Sequence, residues 1–193
     1  MSAPLATKAI ILKRQKTGET SLLLTLLTYD FGLLQSVAKG ALKPINPLAG
    51  ILDLFYEIEV ILNPYQTSSK TYLKEARLLE DFSHLRQDYL KLQLLSYFAQ
   101  LYFICLPHSQ STPPLYQLFH KACHYLNSRP PSLILMQRFE NALLTHLGLA
   151  PVPPKGALQH FANIFGQNFH RVPKERKKLL STLKKTGTIP DHQ

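Results

Sequence analysis

Apolar residues fall in short runs through the first eighty positions and recur at intervals of three or four thereafter. Ala9-Ile10-Ile11-Leu12 and the apolar run over residues 21–27 are bounded by Lys16-Thr17-Gly18-Glu19 and Tyr29-Asp30-Phe31-Gly32. Those flanks have turn chemistry, so the two runs read as a hairpin. A third run, residues 33–38, ends at Lys39-Gly40, after which Pro44 and Pro47 block regular pairing through a loop to about Ala49. Residues 55–62 alternate in part, as a half-buried strand does, and stop at Asn63-Pro64. After a polar turn over 66–69, residues 71–78 supply a fifth strand. Five strands with no helix long enough for a parallel crossover predict an antiparallel sheet that closes into a small barrel.

From Asp81 the period changes. Leu85, Tyr89, Leu92, Leu95, Ala99, Tyr102 and Leu106 line one face of a helix reaching nearly to Pro107. After Pro113-Pro114 a second face carries Leu115, Leu118, Phe119, Ala122 and Leu126. Ser128 is the expected N-cap of a third helix, with Pro130 and Pro131 in its first turn, Leu135, Phe139, Leu143 and Leu147 on its face, and Gly148 as its stop. Residues 149–156 read as a Pro-rich connector, 157–165 as a short helix, and Pro173 opens a last helix. The expected organisation is therefore α+β: a five-stranded barrel over 1–80, an all-α bundle over 81–150, and over 151–193 the connector and a basic helix that packs on the body.

Charge sharpens this picture. The 193 residues carry a net charge of +10, divided as +2 over 1–80, +2 over 81–150 and +6 over 151–193. At 100° per residue, Lys174, Lys177, Lys178, Lys184 and Lys185 fall in one arc, while Leu179, Leu180, Leu183 and Arg176 occupy another. One arc is suited to docking and the other to phosphates; a basic interfacial helix is the membrane reading, but three leucines are a small wedge for a bilayer. No run approaches the ~18 apolar residues of a bilayer span, and residues 1–8 lack signal-peptide character, so a cytoplasmic protein without membrane attachment is expected.

Enzyme chemistry finds little support. The eight glycines form no phosphate-binding loop, there is no Gly-x-Ser-x-Gly elbow, and Glu57 and Glu59 on one strand face are accounted for by a solvated barrel surface. His120 and His124 have the i, i+4 spacing that metals use. A third ligand from Cys105 or His146 would require the fold to bring it close, so the pair reads as a polar helix edge beside a buried Cys123, with no metal and no cofactor expected. Tyr29, Phe31 and Tyr72 have the chemistry to stack on bases or to pack in the core.

Gly18-Glu19-Thr20, the apolar strand to Thr28, Gly32, and Val37-Ala38-Lys39-Gly40-Ala41 resemble, in order and spacing, the N-terminal OB domain of the RecO family of DNA repair and recombination mediators. Leu78-Leu79-Glu80-Asp81-Phe82, Leu85-Arg86-Gln87-Asp88, Arg138-Phe139-Glu140 with Leu143-Leu144, and Leu147-Gly148-Leu149-Ala150-Pro151 are similar to that family's helical landmarks. The resemblance implies that the barrel is an OB fold. It also implies a non-enzymatic, nucleoid-associated protein that binds single- and double-stranded DNA, anneals complementary strands, and loads recombinase with RecR and single-strand-binding protein. By the same resemblance Lys39 and Lys43 occupy positions that are often basic, whereas Lys13 and Arg14, expected to end the first strand, are chosen on charge alone. Two departures stand out. Residues 152–187 contain no cysteine where many members have Cys-x-x-Cys pairs, and the loop after Gly40 has Leu42, Ile45 and Asn46 where arginine or lysine is common. A weakly DNA-binding adaptor and an RNA-binding OB protein are the alternative readings.

Overall fold

The computed structural model describes residues 3–64, 70–149 and 157–186. Within them lie β1 (Leu5–Thr17), β2 (Ser21–Thr28), β3 (Gly32–Ala38), β4 (Glu57–Pro64) and β5 (Thr71–Glu80). A 3-10 turn at Ser83–Gln87 leads to α1 (Tyr89–Cys105), α2 (Pro113–Ser128), α3 (Leu133–His146), α4 (Ala157–Phe169) and α5 (Glu175–Thr186). The expected turn over 66–69 and most of the connector over 149–156 lie outside the described residues. The chain forms two units: Met1–Phe82 with Leu106–Tyr116, and Ser83–Cys105 with Gln117–Gln193. No described helix is long and apolar enough to cross a membrane.

In the first unit the strands close into a barrel in the order β1-β2-β3-β5-β4, the order of an OB fold. The fold is thus α+β with a five-stranded OB barrel ahead of the helices. Alternate residues fill its interior: Ala9 and Ile11, then Leu22, Leu24 and Leu26, then Leu34 and Ala38, with Ile58, Val60, Leu62 and Leu73 opposite. Ala41 and Leu52 from the β3–β4 loop join this core. The expectation of a wholly antiparallel sheet is corrected at one seam, because β3 and β5 run parallel through Ser36↔Thr71 and Val37↔Tyr72. A ring of five strands cannot alternate direction all the way round. Glu57 is also corrected: it is buried and accepts a 2.7 Å hydrogen bond from the Tyr116 hydroxyl.

In the second unit α1 buries Leu94, Leu95, Tyr97, Phe98, Ala99, Leu101 and Tyr102, far more than the one face its leucine spacing predicts, while Tyr89 is exposed. It is a core helix, with Phe98 stacked on Phe139 of α3 and Tyr102 against Phe119 of α2. The N-cap of α3 is Ser132, whose hydroxyl accepts from the Leu135 amide at 3.1 Å, and not Ser128, which ends α2. Pro130 and Pro131 therefore precede the helix.

Gly32 shows how tightly the first unit is built. Its φ is +67°, and a Cβ there would lie 1.9 Å from the Gln110 carbonyl oxygen, beside the point where the Ser109 amide donates to Leu33 at 3.0 Å. Gly18 has nearly the same φ, +64°, with nothing within 4 Å of a Cβ. Gly18→Ala should lose only about 1–2 kcal/mol of left-handed backbone energy, whereas Gly32→Ala should lose distinctly more in the same denaturant titration.

Candidate nucleic-acid interface

The outer face of β1-β2-β3-β5 is set by a bulge. Ile11 pairs with Leu26 and Lys13 with Thr25, so Leu12 is an extra residue. Without it Lys13 would share the inward parity of Ile11. With it, Lys13 and Gln15 turn outward and Arg14 takes the inward side. The expectation that Lys13 and Arg14 end the first strand is corrected, since β1 continues to Thr17. Its polar second half has no apolar run to reveal it and is held by pairing with β2.

Register then assembles one row across four strands: Gln15, Leu23, Val37 and Tyr72. Lys13, Thr25 and Gln35 form the next row. Leu23, Val37 and Tyr72 are half-buried, and the Lys39 ammonium sits 4.3 Å from the centre of the Tyr72 ring. An aromatic with a cation on its face, beside a shallow apolar strip, is a surface suited to stacked bases and a phosphate backbone. Tyr29 instead packs edge-on against Tyr116, and Phe31 packs against the barrel core.

The loop after Lys39 is braced at this end of the barrel. The Gly40 amide donates to the Ser21 hydroxyl and the Leu42 amide to the Thr20 carbonyl, joining the loop to the β1–β2 turn. Asn46 donates to the Gly40 carbonyl at 3.0 Å while its own amide oxygen accepts from Leu48. The stem of Lys43 folds over Gly40, its Cδ 3.7 Å from where a Cβ would be. Lys39 and Lys43 are therefore neighbours on one rim, both exposed. Arg14 differs from them: its guanidinium pairs with Asp53 at 2.8 Å and ties β1 to the end of the loop. On the β4–β5 side Arg77 pairs with Glu59 and Lys74 with Glu75, whereas Lys13, Lys39 and Lys43 have no carboxylate at ion-pair distance among the described residues.

The other predicted cations belong to the second unit. Lys174, Lys177, Lys178, Lys184 and Lys185 are exposed along α5 and the turn before it, while Leu179, Leu183 and Arg176 are buried and Leu180 is half-buried. Arg176 makes a bidentate pair with Glu140 of α3, at 2.7 and 2.8 Å. It also donates to the Leu158 carbonyl of α4 and lies over the Phe161 ring. Tyr97 of α1 donates to the same carboxylate at 2.5 Å. Four helices thus meet at one buried charge pair, and through it the lysine arc is held outward. Burial pushes the Glu140 carboxyl upward against the opposing pull of Arg176 and Tyr97. Burial alone would lower Arg176, but hydrogen bonding and charge from Glu140 outweigh it and raise it.

His120 and His124 face each other with their Nε2 atoms 3.2 Å apart, and Cys123 is buried. Among the described residues no three His, Cys, Asp or Glu side chains are grouped to hold a metal.

Comparison with known proteins agrees with this architecture. Residues 1–82 match the family described as Recombination protein O N terminal, and residues 86–162 match Recombination protein O C terminal. The chain belongs to the RecO family. It is similar to the DNA repair protein RecO of Oceanobacillus iheyensis, 29% identical over 74% of this chain and 55% of that protein. It is 32% identical to the RecO of a Cyanothece species over 78% of this chain and 52% of that one, and 32% identical to that of Clostridium novyi over 74% and 55%. The chain thus spans about half the length of the curated RecO relatives it matches.

Sequence reasoning missed the Gln15-Leu23-Val37 row, the bracing of the loop by the Asn46 side chain, and the Glu140–Tyr97 partners of Arg176. A signal for the last was present: Glu140 is the one acid between Asp88 and Glu175, and Arg176 sits on an apolar arc that has to neutralise it.

Glu140→Gln should destabilise by about 3–5 kcal/mol, because Arg176 stays buried without its charge partner, and should expose α5 to limited proteolysis. Glu140→Leu combined with Arg176→Met and Tyr97→Phe, which leaves no buried hydroxyl without its acceptor, should recover most of that loss. Separately, burial raises the Tyr97 and Tyr102 phenols well above the ordinary 10.0. Folded-state values above the unfolded one mean stability is intact below pH ~10 and is lost as pH rises beyond it. Phenolate absorbance from these two rings should appear only together with loss of helical circular dichroism.

Proposed function

We propose that this protein is a DNA repair protein acting as a recombination mediator, which binds single- and double-stranded DNA without catalysing a covalent step. In this reading it promotes strand annealing and recombinase loading with RecR and single-strand-binding protein. The observation that carries the reading is the Tyr72–Lys39 pair at the end of an outward strand row on an OB barrel, on the β2–β3 face that OB folds use for oligonucleotides. Family membership supports the same assignment.

Lys13, Lys39 and Lys43 are the phosphate contacts of the barrel, and Arg14 braces the loop beside them through Asp53. Lys174, Lys177, Lys178, Lys184 and Lys185 form a second cationic strip, partly replacing charges that the loop after Gly40 lacks. Such contacts position a backbone and do not read sequence, as annealing of arbitrary complementary strands requires.

Fluorescence anisotropy with single-stranded DNA, duplex DNA and RNA at several salt concentrations tests the reading. Each lost phosphate contact should flatten the slope of log affinity against log salt by about 0.7–0.9 units. Changing both Lys39 and Lys43 to Gln should flatten it by up to about 1.8 units for duplex, equally for all sequences. Changing the five α5-strip lysines to Gln should lower affinity and flatten the slope further, with thermal stability nearly unchanged. Unaltered slopes would favour the adaptor reading, and preference for RNA strands the RNA-binding one.

A further inference from the structure

Among the described residues the most exposed large apolar side chain is Ile45, at 98% exposure, and it stands in the braced loop between β3 and β4. Residues 39–56 separate β3 from β4 without forming a described helix or strand, a length that in compact proteins usually marks a functional loop. Pro44 and Pro47 fix φ on either side of Ile45 and Asn46. The Lys43 amide donates to Gly40, Asn46 to Lys43 and Ala49 to Asn46, a chain of tight turns that the Asn46 side chain locks from within. Leu48 and Ile51 meanwhile pack against the barrel core, so the loop is anchored from below. Ile45 contributes nothing to that core. A rigid mount holding an isoleucine in water has already met the ordering cost that binding would otherwise impose.

We infer that Ile45 is an intercalating wedge: it inserts between adjacent bases where single-stranded DNA meets duplex, while Lys39 and Lys43 hold the flanking phosphates. The inference rests on the DNA-binding reading above and gives it a preferred substrate, the strand junction at which annealing advances. Chemistry selects this occupant. Residues 39–56 contain two lysines and one acid, Asp53, which is paired with Arg14, so the apolar tip is set in a positive rim suited to a polyanion. One isoleucine is too small an anchor for a bilayer. Apolar side chains flanked by cations are a general means of unstacking a base step, at an expense of a few kcal/mol that a junction, already partly unstacked, reduces.

The test uses the whole protein and a hairpin with a single-stranded arm, with 2-aminopurine at the junction and a separate dye for anisotropy. The wild type should brighten 2-aminopurine on binding. Ile45→Ala should abolish the brightening and weaken junction affinity by roughly tenfold, from the lost apolar contact, while leaving the salt slope unchanged because no charge is removed. Ile45→Leu should restore both. The Lys39 and Lys43 double Gln variant should do the converse, flattening the slope but keeping the brightening at saturating protein. If the wild type binds DNA but 2-aminopurine stays dark, or Ile45→Ala brightens it as well, the wedge is overturned and the DNA-binding reading stands. If the wild type shows no anisotropy change with any DNA, both fall. Ile45→Ala weakening capture of a protein partner, with the base signal intact, would likewise overturn the wedge.

Discussion

Five strands closed into a ring must include one parallel seam, and much of the proposed interface depends on where that seam falls. Here it lies between β3 and β5. Val37 is thereby set opposite Tyr72, and Lys39, two residues further along, comes over the tyrosine ring. The bulge at Leu12 makes the second necessary adjustment, turning Lys13 and Gln15 onto the outer face that this seam completes. Neither feature involves a strong individual interaction. Both follow from the side-chain period of two, under which a displacement of one residue changes the face of every side chain beyond it.

The helical unit depends on a constraint of another kind. Its apolar contacts tolerate many arrangements, but a buried guanidinium and a buried carboxylate tolerate few, because each is costly without the other. Arg176, Glu140, Tyr97 and the Leu158 carbonyl satisfy one another across four helices, which fixes the rotation of α5 as well as its position. The five lysines are displayed on the outside as a consequence. A buried ion pair of this kind adds little net stability over an apolar pair of similar volume, although losing one partner is costly.

Cation pairing separates the two sides of the barrel. On β4 and β5 the arginine and lysine charges are spent on Glu59 and Glu75, and at the loop end Arg14 is committed to Asp53. Around the β1–β2 turn and the loop after β3, lysines stand beside Tyr72 and Ile45. The low net charge of the barrel region therefore conceals an uneven distribution, a mixed face and a cationic rim.

Signals confined to neighbouring residues were legible in the sequence. The strands of 21–27 and 33–38, the change of period near Asp81, the stop at Gly148 and the separation of lysine from leucine arcs on α5 all follow from local periodicity and turn chemistry. What tertiary structure alone decided involves residues far apart in the chain. The parallel seam, the burial of Glu57 by Tyr116, the approach of Gln110 to Gly32 and the partners of Arg176 are each set by pairing across long separations. The polar half of β1 belongs with them, since only a neighbouring strand makes Lys13–Thr17 extended. Periodicity reports which way a side chain points from its own element. It carries no record of what that side chain will meet.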